Sequence, residues 1–122
     1  MQTHRFSVFI DCAISVGSAP ATKLYEDSGF LILPDDYSQS GAPTRLVISC
    51  HGAGGTVTTD DSQVEHQTLT QYLVANGFAV MDVNGLPFEY AAENGIDIRN
   101  NIGSPIALRS YVKAYFYCME KK

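Results

Sequence analysis

Arg45-Leu46-Val47-Ile48-Ser49-Cys50-His51-Gly52-Ala53-Gly54-Gly55 is the stretch whose reading decides the fold. Leu46 to Cys50 is a continuous apolar run, the signature of a strand covered on both faces, and it predicts a central strand of a parallel sheet. Three glycines follow within the five residues His51 to Gly55. Glycines there let the backbone turn sharply and leave amide hydrogens that no side chain shields, as holding an oxyanion requires. The carboxyl end of a parallel strand is also where an α/β sheet places its sites.

Toward the amino terminus, Gly29 to Leu33 reads as a strand closed by Pro34-Asp35-Asp36-Tyr37, and Ser38 to Pro43 as a polar turn. Phe6, Val8, Ile10, Cys12, Ile14 and Val16 alternate with Ser7, Asp11 and Ser15, a half-buried strand that Gly17-Ser18-Ala19-Pro20 ends. Its wet face suits an antiparallel or outer position. Toward the carboxyl terminus, Thr58, Thr59, Asp60 and Asp61 each offer a cap for a helix with apolar positions Val64, Leu69, Tyr72 and Leu73, stopped by Asn76-Gly77. Phe78 to Val83 is a second buried strand, and a long loop leads from it to Ser104-Pro105. Those two residues start a last, amphipathic helix with Ala107, Tyr111, Tyr115 and Cys118 on one stripe and Leu108, Val112 and Met119 beside it. The order predicts an α/β fold in one domain over 1–122: a mostly parallel sheet with antiparallel N-terminal strands and two flanking helices.

The 122 residues are 45% hydrophobic and 17% charged, the balance of one globular domain. A net charge of −5 without any Lys/Arg run argues against nucleic acid or an anionic bilayer as partner. No apolar run approaches the ~18 residues of a membrane span. Cys12, Cys50 and Cys118 are odd in number and lack a C-x-x-C pair, so they read as core residues and not as a disulfide framework or zinc site. No cofactor or metal is implied. Met1 to Ala21 imitates a signal peptide, with His4 and Arg5 ahead of an apolar stretch, but Asp11 interrupts it and a strand explains it better. That weak signal and the unpaired cysteines point to opposite compartments, with the cytoplasm slightly favoured.

In this frame His51-Gly52-Ala53-Gly54-Gly55 resembles the H-G-G-G-type oxyanion segment that α/β-hydrolase lipases and esterases carry after their third strand. The resemblance implies a partial α/β-hydrolase fold. Gly29 to Leu33, Arg45 to Cys50 and Phe78 to Val83 match its second, third and fourth strands, and Ser104 to Glu120 the helix before the nucleophile strand. It further implies a carboxylic ester as substrate, a backbone N–H of Ala53 or Gly54 aimed at the oxyanion, and a His51 that braces the loop and is not the catalytic base. The family's G-x-S-x-G does not occur, and the chain reaches Lys121-Lys122 where the fifth strand is expected. Nucleophile, acid and triad histidine therefore have no position here, and the expectation is an N-terminal part of a serine hydrolase, inert alone. The family sets its third strand between the fourth and the fifth. Lacking the fifth, Leu46 to Ser49 is expected to be an exposed edge open to self-association or to a complementing chain.

Other readings compete. The absent nucleophile favours a non-enzymatic interaction or split-subunit domain. Gly52 to Thr56 also follows a strand and opens toward a helix, as phosphate-binding loops do, but there is no Gly-Lys-Ser/Thr, and Val57 stands where a dinucleotide fingerprint needs Gly or Ala. A metal site from His51, His66, Asp60 and Asp61 has no supporting spacing, and His66 reads as part of a solvated face of the first helix. Asp82, at the end of a buried strand, is expected to bond to nearby loop amides.

Overall fold

Two long strands joined head to tail begin the chain. The computed structural model describes residues 2–16, 19–52, 55–96 and 105–121. β1 (Gln2–Val16) and β2 (Ala19–Leu33) pair antiparallel from Gln2 opposite Leu33 to Val16 opposite Ala19. β2 thus starts at Ala19 and not at the expected Gly29. Asp27 hid its first half, because a buried carboxylate occupies a position where the alternation calls for an apolar side chain.

β3 (Leu46–Ile48) is followed by a 3-10 turn (Val64–His66), α1 (Thr68–Ala75), β4 (Ala79–Val83), α2 (Phe88–Asn94) and α3 (Pro105–Lys121). The described strands form one sheet in the order β1-β2-β4-β3. β2 and β4 run antiparallel with Gly29 opposite Val83, and β3 runs parallel to β4 with Leu46 opposite Ala79. The sheet is therefore mixed and mostly antiparallel, which corrects the mostly parallel expectation. Parallel neighbours need a long crossover, and among the described elements only β3-α1-β4 supplies one, whereas a tight hairpin makes its strands antiparallel.

Three helices are described where two were expected. α2 lies in the stretch read as loop. Pro87 precedes it, Phe88 to Glu93 contains no helix breaker, and Gly95 ends it in the left-handed region at φ 63°. Its seven residues are too few to display a clear helical period. α1 also departs from the expected stripe, since Leu69 and Tyr72 are exposed while Thr70 and Val74 are buried. Gln67, extended at ψ 141°, separates the 3-10 turn holding Val64 from α1 and resets the phase between them. α3 turns Ala107, Ser110, Ala114 and Cys118 inward and leaves Leu108, Val112, Tyr115 and Met119 exposed.

Both faces of the central strands are covered. Leu31, Leu33, Met81 and Val83 pack with Phe6, Val8, Ala114 and Cys118 on the α3 face. Phe30, Ile32 and Val80 pack with Val57, Val64 and Val74 on the α1 face. That is why Phe30 to Leu33 carries no polar residue, and each fully buried side chain of this size contributes roughly 1.5–3 kcal/mol. A third cluster, Ile10, Cys12 and Tyr25 with Tyr90 and Ile106, seats α2 on the far part of the hairpin. Lys23 pairs there with Glu89 and Glu93. β3 is the exception to its own apolar run: it lies at the edge of the described sheet, half-buried at Leu46 and Val47 and exposed at Ile48.

The hairpin meets α3 through Phe6, which stacks on Tyr117 at 4.3 Å between ring centroids and lies across its cross-strand partner Gly29. A Cβ at position 29 would sit 2.7 Å from the Phe6 ring and 3.0 Å from Val83 Cγ1. Gly29→Ala is expected to lower stability by roughly 1–3 kcal/mol through overpacking. A fall in the urea midpoint measures it; an unchanged midpoint means the ring yields at no cost.

Candidate functional site at the carboxyl ends of the parallel pair

The ladder between β3 and β4 ends where Ser49 N–H donates to the Met81 carbonyl at 2.9 Å. The chain then leaves the sheet, and His51 turns inward with only 6% of its side chain exposed. Its Nδ1 lies 2.9 Å from Oδ2 of Asp82, a fully buried residue of β4. Asp82 Oδ1 accepts from the Tyr111 hydroxyl at 2.5 Å and from the Val83 N–H at 2.8 Å. Burial, with the Asp82 charge beside it, pushes the Tyr111 phenol far above its usual range, so this hydroxyl remains a donor. The partners of Asp82 are thus a histidine, a phenol and a strand amide, which corrects the expectation of loop amides.

Beyond His51, the Gly55 N–H donates to the Gly52 carbonyl at 2.8 Å, and the Gly52 N–H donates to Gln63 Oε1 at 3.0 Å. A Cβ on Gly55 would collide with the Gln63 carboxamide and come within 3.1 Å of His51 Cβ. A side chain at 55 would therefore displace the Gln63 carboxamide from the Gly52 amide. Ala53 and Gly54, the two residues singled out as oxyanion donors, lie outside the described residues. The far side of the loop is tied down by Asn84, whose Oδ1 accepts from Val57 N–H at 3.0 Å while its Nδ2 donates to the Leu86 carbonyl. The arrangement is a backbone turn braced by a buried imidazole and set at the carboxyl end of a parallel strand. Such a turn can present amides to an anion, and the described side chains give it no nucleophile with an adjacent base.

The competing sites look different once placed. Asp61, Glu65 and His66 each bring a ligand atom to within 4.8 Å of the others. His51 and Asp60, the other members of the metal set considered from sequence, are not in that group. Arg5 Nη2 contacts both Glu65 oxygens, at 2.7 and 2.8 Å, and Ser62 Oγ donates to one of them, so this carboxylate is already compensated. His66, on the 3-10 turn and not on α1, bonds Asp61 at 2.5 Å on an exposed surface, which raises the imidazole pKa and lowers that of the carboxyl. The phosphate-loop reading loses its helix, because α1 does not begin until Thr68. A cavity of about 200 Å³ beside Tyr37, Pro43, Leu46 and Met119 lies at the amino end of β3, away from His51. Cys12 and Cys118 are buried, and burial raises both thiols, Cys118 to about 11; Cys50 is exposed and so departs from the expected core role.

Several residues of this site were not visible as such in the sequence. Tyr111 read as one more apolar position of a helix stripe, and nothing in the sequence singled out Gln63 or Asn84. The available signal was Asp82 itself, a carboxylate inside Phe78 to Val83 that requires donors from somewhere. Tyr111→Phe leaves buried Asp82 short of one donor. It is expected to lower stability by about 1–3 kcal/mol, read from urea denaturation, with the His51 ring resonances displaced in the same variant. Unchanged stability would mean that Asp82 is satisfied without the phenol. Comparison of this chain with family models, with curated proteins and with solved structures finds no match.

Proposed function

We propose that this chain supplies the oxyanion-hole part of an α/β-hydrolase-type serine esterase acting on carboxylic esters. The observation that carries the reading is the braced turn Gly52 to Gly55 at the carboxyl end of β3, with His51 held by Asp82. Two further features support it. Gly52 and Gly55 are not helical, and β3 runs parallel beside β4, the placement the resemblance requires of its third and fourth strands. His51 serves as a brace in this reading: its ring is turned to a buried carboxylate at the base of the loop. The Gly52 and Gly55 amides are engaged within the loop, so an amide offered to substrate has to come from Ala53 or Gly54. One such donor is worth roughly 3–4 kcal/mol to a tetrahedral intermediate.

The hydrolase reading needs a Ser nucleophile, an acid and a histidine from a further segment bearing G-x-S-x-G. The edge of β3 at Leu46 to Ser49 is the surface on which that segment, a complementing chain or a second copy would pair. The exposed Ile48 on this edge also favours the second reading, a non-enzymatic interaction domain.

Amide resonances titrated with a short-chain alkylphosphonate, an oxyanion mimic, test the site. Ala53 or Gly54 is expected to shift saturably while Gly52 and Gly55 stay in place, and a loop indifferent to the anion would refute the assignment. The purified chain alone is expected to cleave a nitrophenyl ester no faster than buffer does. Turnover abolished by a serine-directed inhibitor would place a nucleophile within these residues and overturn the partial-site reading.

A further inference from the structure

We propose that Asp27, buried against Ser110 with no cation paired to it among the described residues, is a proton-sensitive latch between β2 and α3 that bears on the grip of Tyr111 on the Asp82 and His51 brace. Asp27 is 1% exposed and Ser110 fully buried. Asp27 Oδ2 accepts from Ser110 Oγ at 2.5 Å and from the Gly85 N–H at 2.8 Å. Both donors are neutral, and among the described residues no Lys or Arg forms an ion pair with this carboxyl. Such donors, the Ser28 amide with them, do not offset the cost of removing a carboxylate from water, so burial favours its protonated form.

The groups around it do not reverse that preference. Burial raises the Asp27 pKa from 3.8 to about 6, against the lowering effects of the Ser110 and Gly85 bonds and of nearby His51. On β1, Cys12 feels the Asp27 charge and is itself a buried thiol raised by burial, and Asp11 adds like charge to that neighbourhood. Arg109 of α3 acts on Cys12, while Tyr111 of the same helix is committed to Asp82 on β4. The sign follows from proton linkage. The folded chain binds this proton more tightly than the unfolded chain, so the contribution is fully present below about 3.8 and lost as pH rises through about 6.

Position gives the latch its reach. Ser110 precedes Tyr111 on α3, and Gly85 lies just beyond the end of β4, which carries Asp82. The cost of burying the Asp27 charge therefore falls between the two elements that hold the brace. The latch stands on the fold alone, and only its bearing on an oxyanion loop rests on the hydrolase reading.

The test uses the full chain. Urea denaturation between pH 4.5 and 7.5 compares wild type with Asp27→Asn, while carbon NMR follows the Asp27 carboxyl and proton NMR the His51 ring. The wild-type folding constant, relative to the variant, is expected to rise on the order of 10- to 100-fold on acidification. The Asp27 midpoint is expected near 6, and the His51 resonances are expected to move through the same midpoint in wild type only. An equal pH slope in both proteins, or an Asp27 midpoint in the ordinary carboxylate range, overturns the latch. A His51 ring that ignores that midpoint overturns the coupling. Should Asp27→Asn fail to fold, Ser110→Ala decides: loss of the hydroxyl is expected to move the Asp27 midpoint upward, and an unmoved midpoint refutes the latch. Phosphonate titration of Ala53 and Gly54 at fixed pH judges the hydrolase reading separately, so either idea can fail without the other.

Discussion

Solvating Asp82 is the constraint around which the carboxyl end of the sheet is organised. A fully buried carboxylate left without partners costs several kcal/mol, and the protein meets that cost with three donors or charge partners from three places. His51 fixes where the chain turns after leaving β3. Tyr111 fixes which side of α3 faces the sheet end. The Val83 amide orients the carboxyl from within β4. With His51 drawn inward, a Cβ on Gly55 would lie 3.1 Å from His51 Cβ and meet the Gln63 carboxamide.

What the sequence made legible follows from how locally each feature is determined. Apolar runs identified β3 and β4, and period-two alternation identified β1, because burial on both faces or on one leaves a pattern within a few residues. The carboxyl-terminal helix was equally visible. Features that depend on partners distant in the chain were not. Asp27 is bonded by a residue 83 positions away, so the first half of β2 was not recognised as strand. The apolar run of β3 suggested an interior position, yet pairing decides position, and β3 meets only β4 among the described strands. The glycine segment was found from composition alone, whereas its braces Gln63 and Tyr111 became visible only with the fold.

β3 combines two opposing properties. An edge strand offers unpaired backbone groups to any passing strand, and its exposed Ile48 adds apolar surface. Yet it is only three residues long, which limits what can pair with it. The outward apolar residues of α3 face solvent on a different element. An edge strand that expects a permanent neighbour and one that must avoid neighbours would differ in length and in apolar content, and β3 is short like the second and apolar like the first.

Stability alone would not build this end of the sheet. Replacing a buried ionic cluster by packed apolar side chains is often neutral or stabilising, so Asp82 with His51 is a poor choice for a core. Asp27 is poorer still, since it has a hydroxyl and an amide where Asp82 has an imidazole, and burial shifts its proton affinity. Both carboxylates lie near the carboxyl ends of the parallel pair, and among the described residues no other Asp or Glu is fully buried. Where local rules of packing are broken together at one end of a sheet, the cost falls where a functional site would stand.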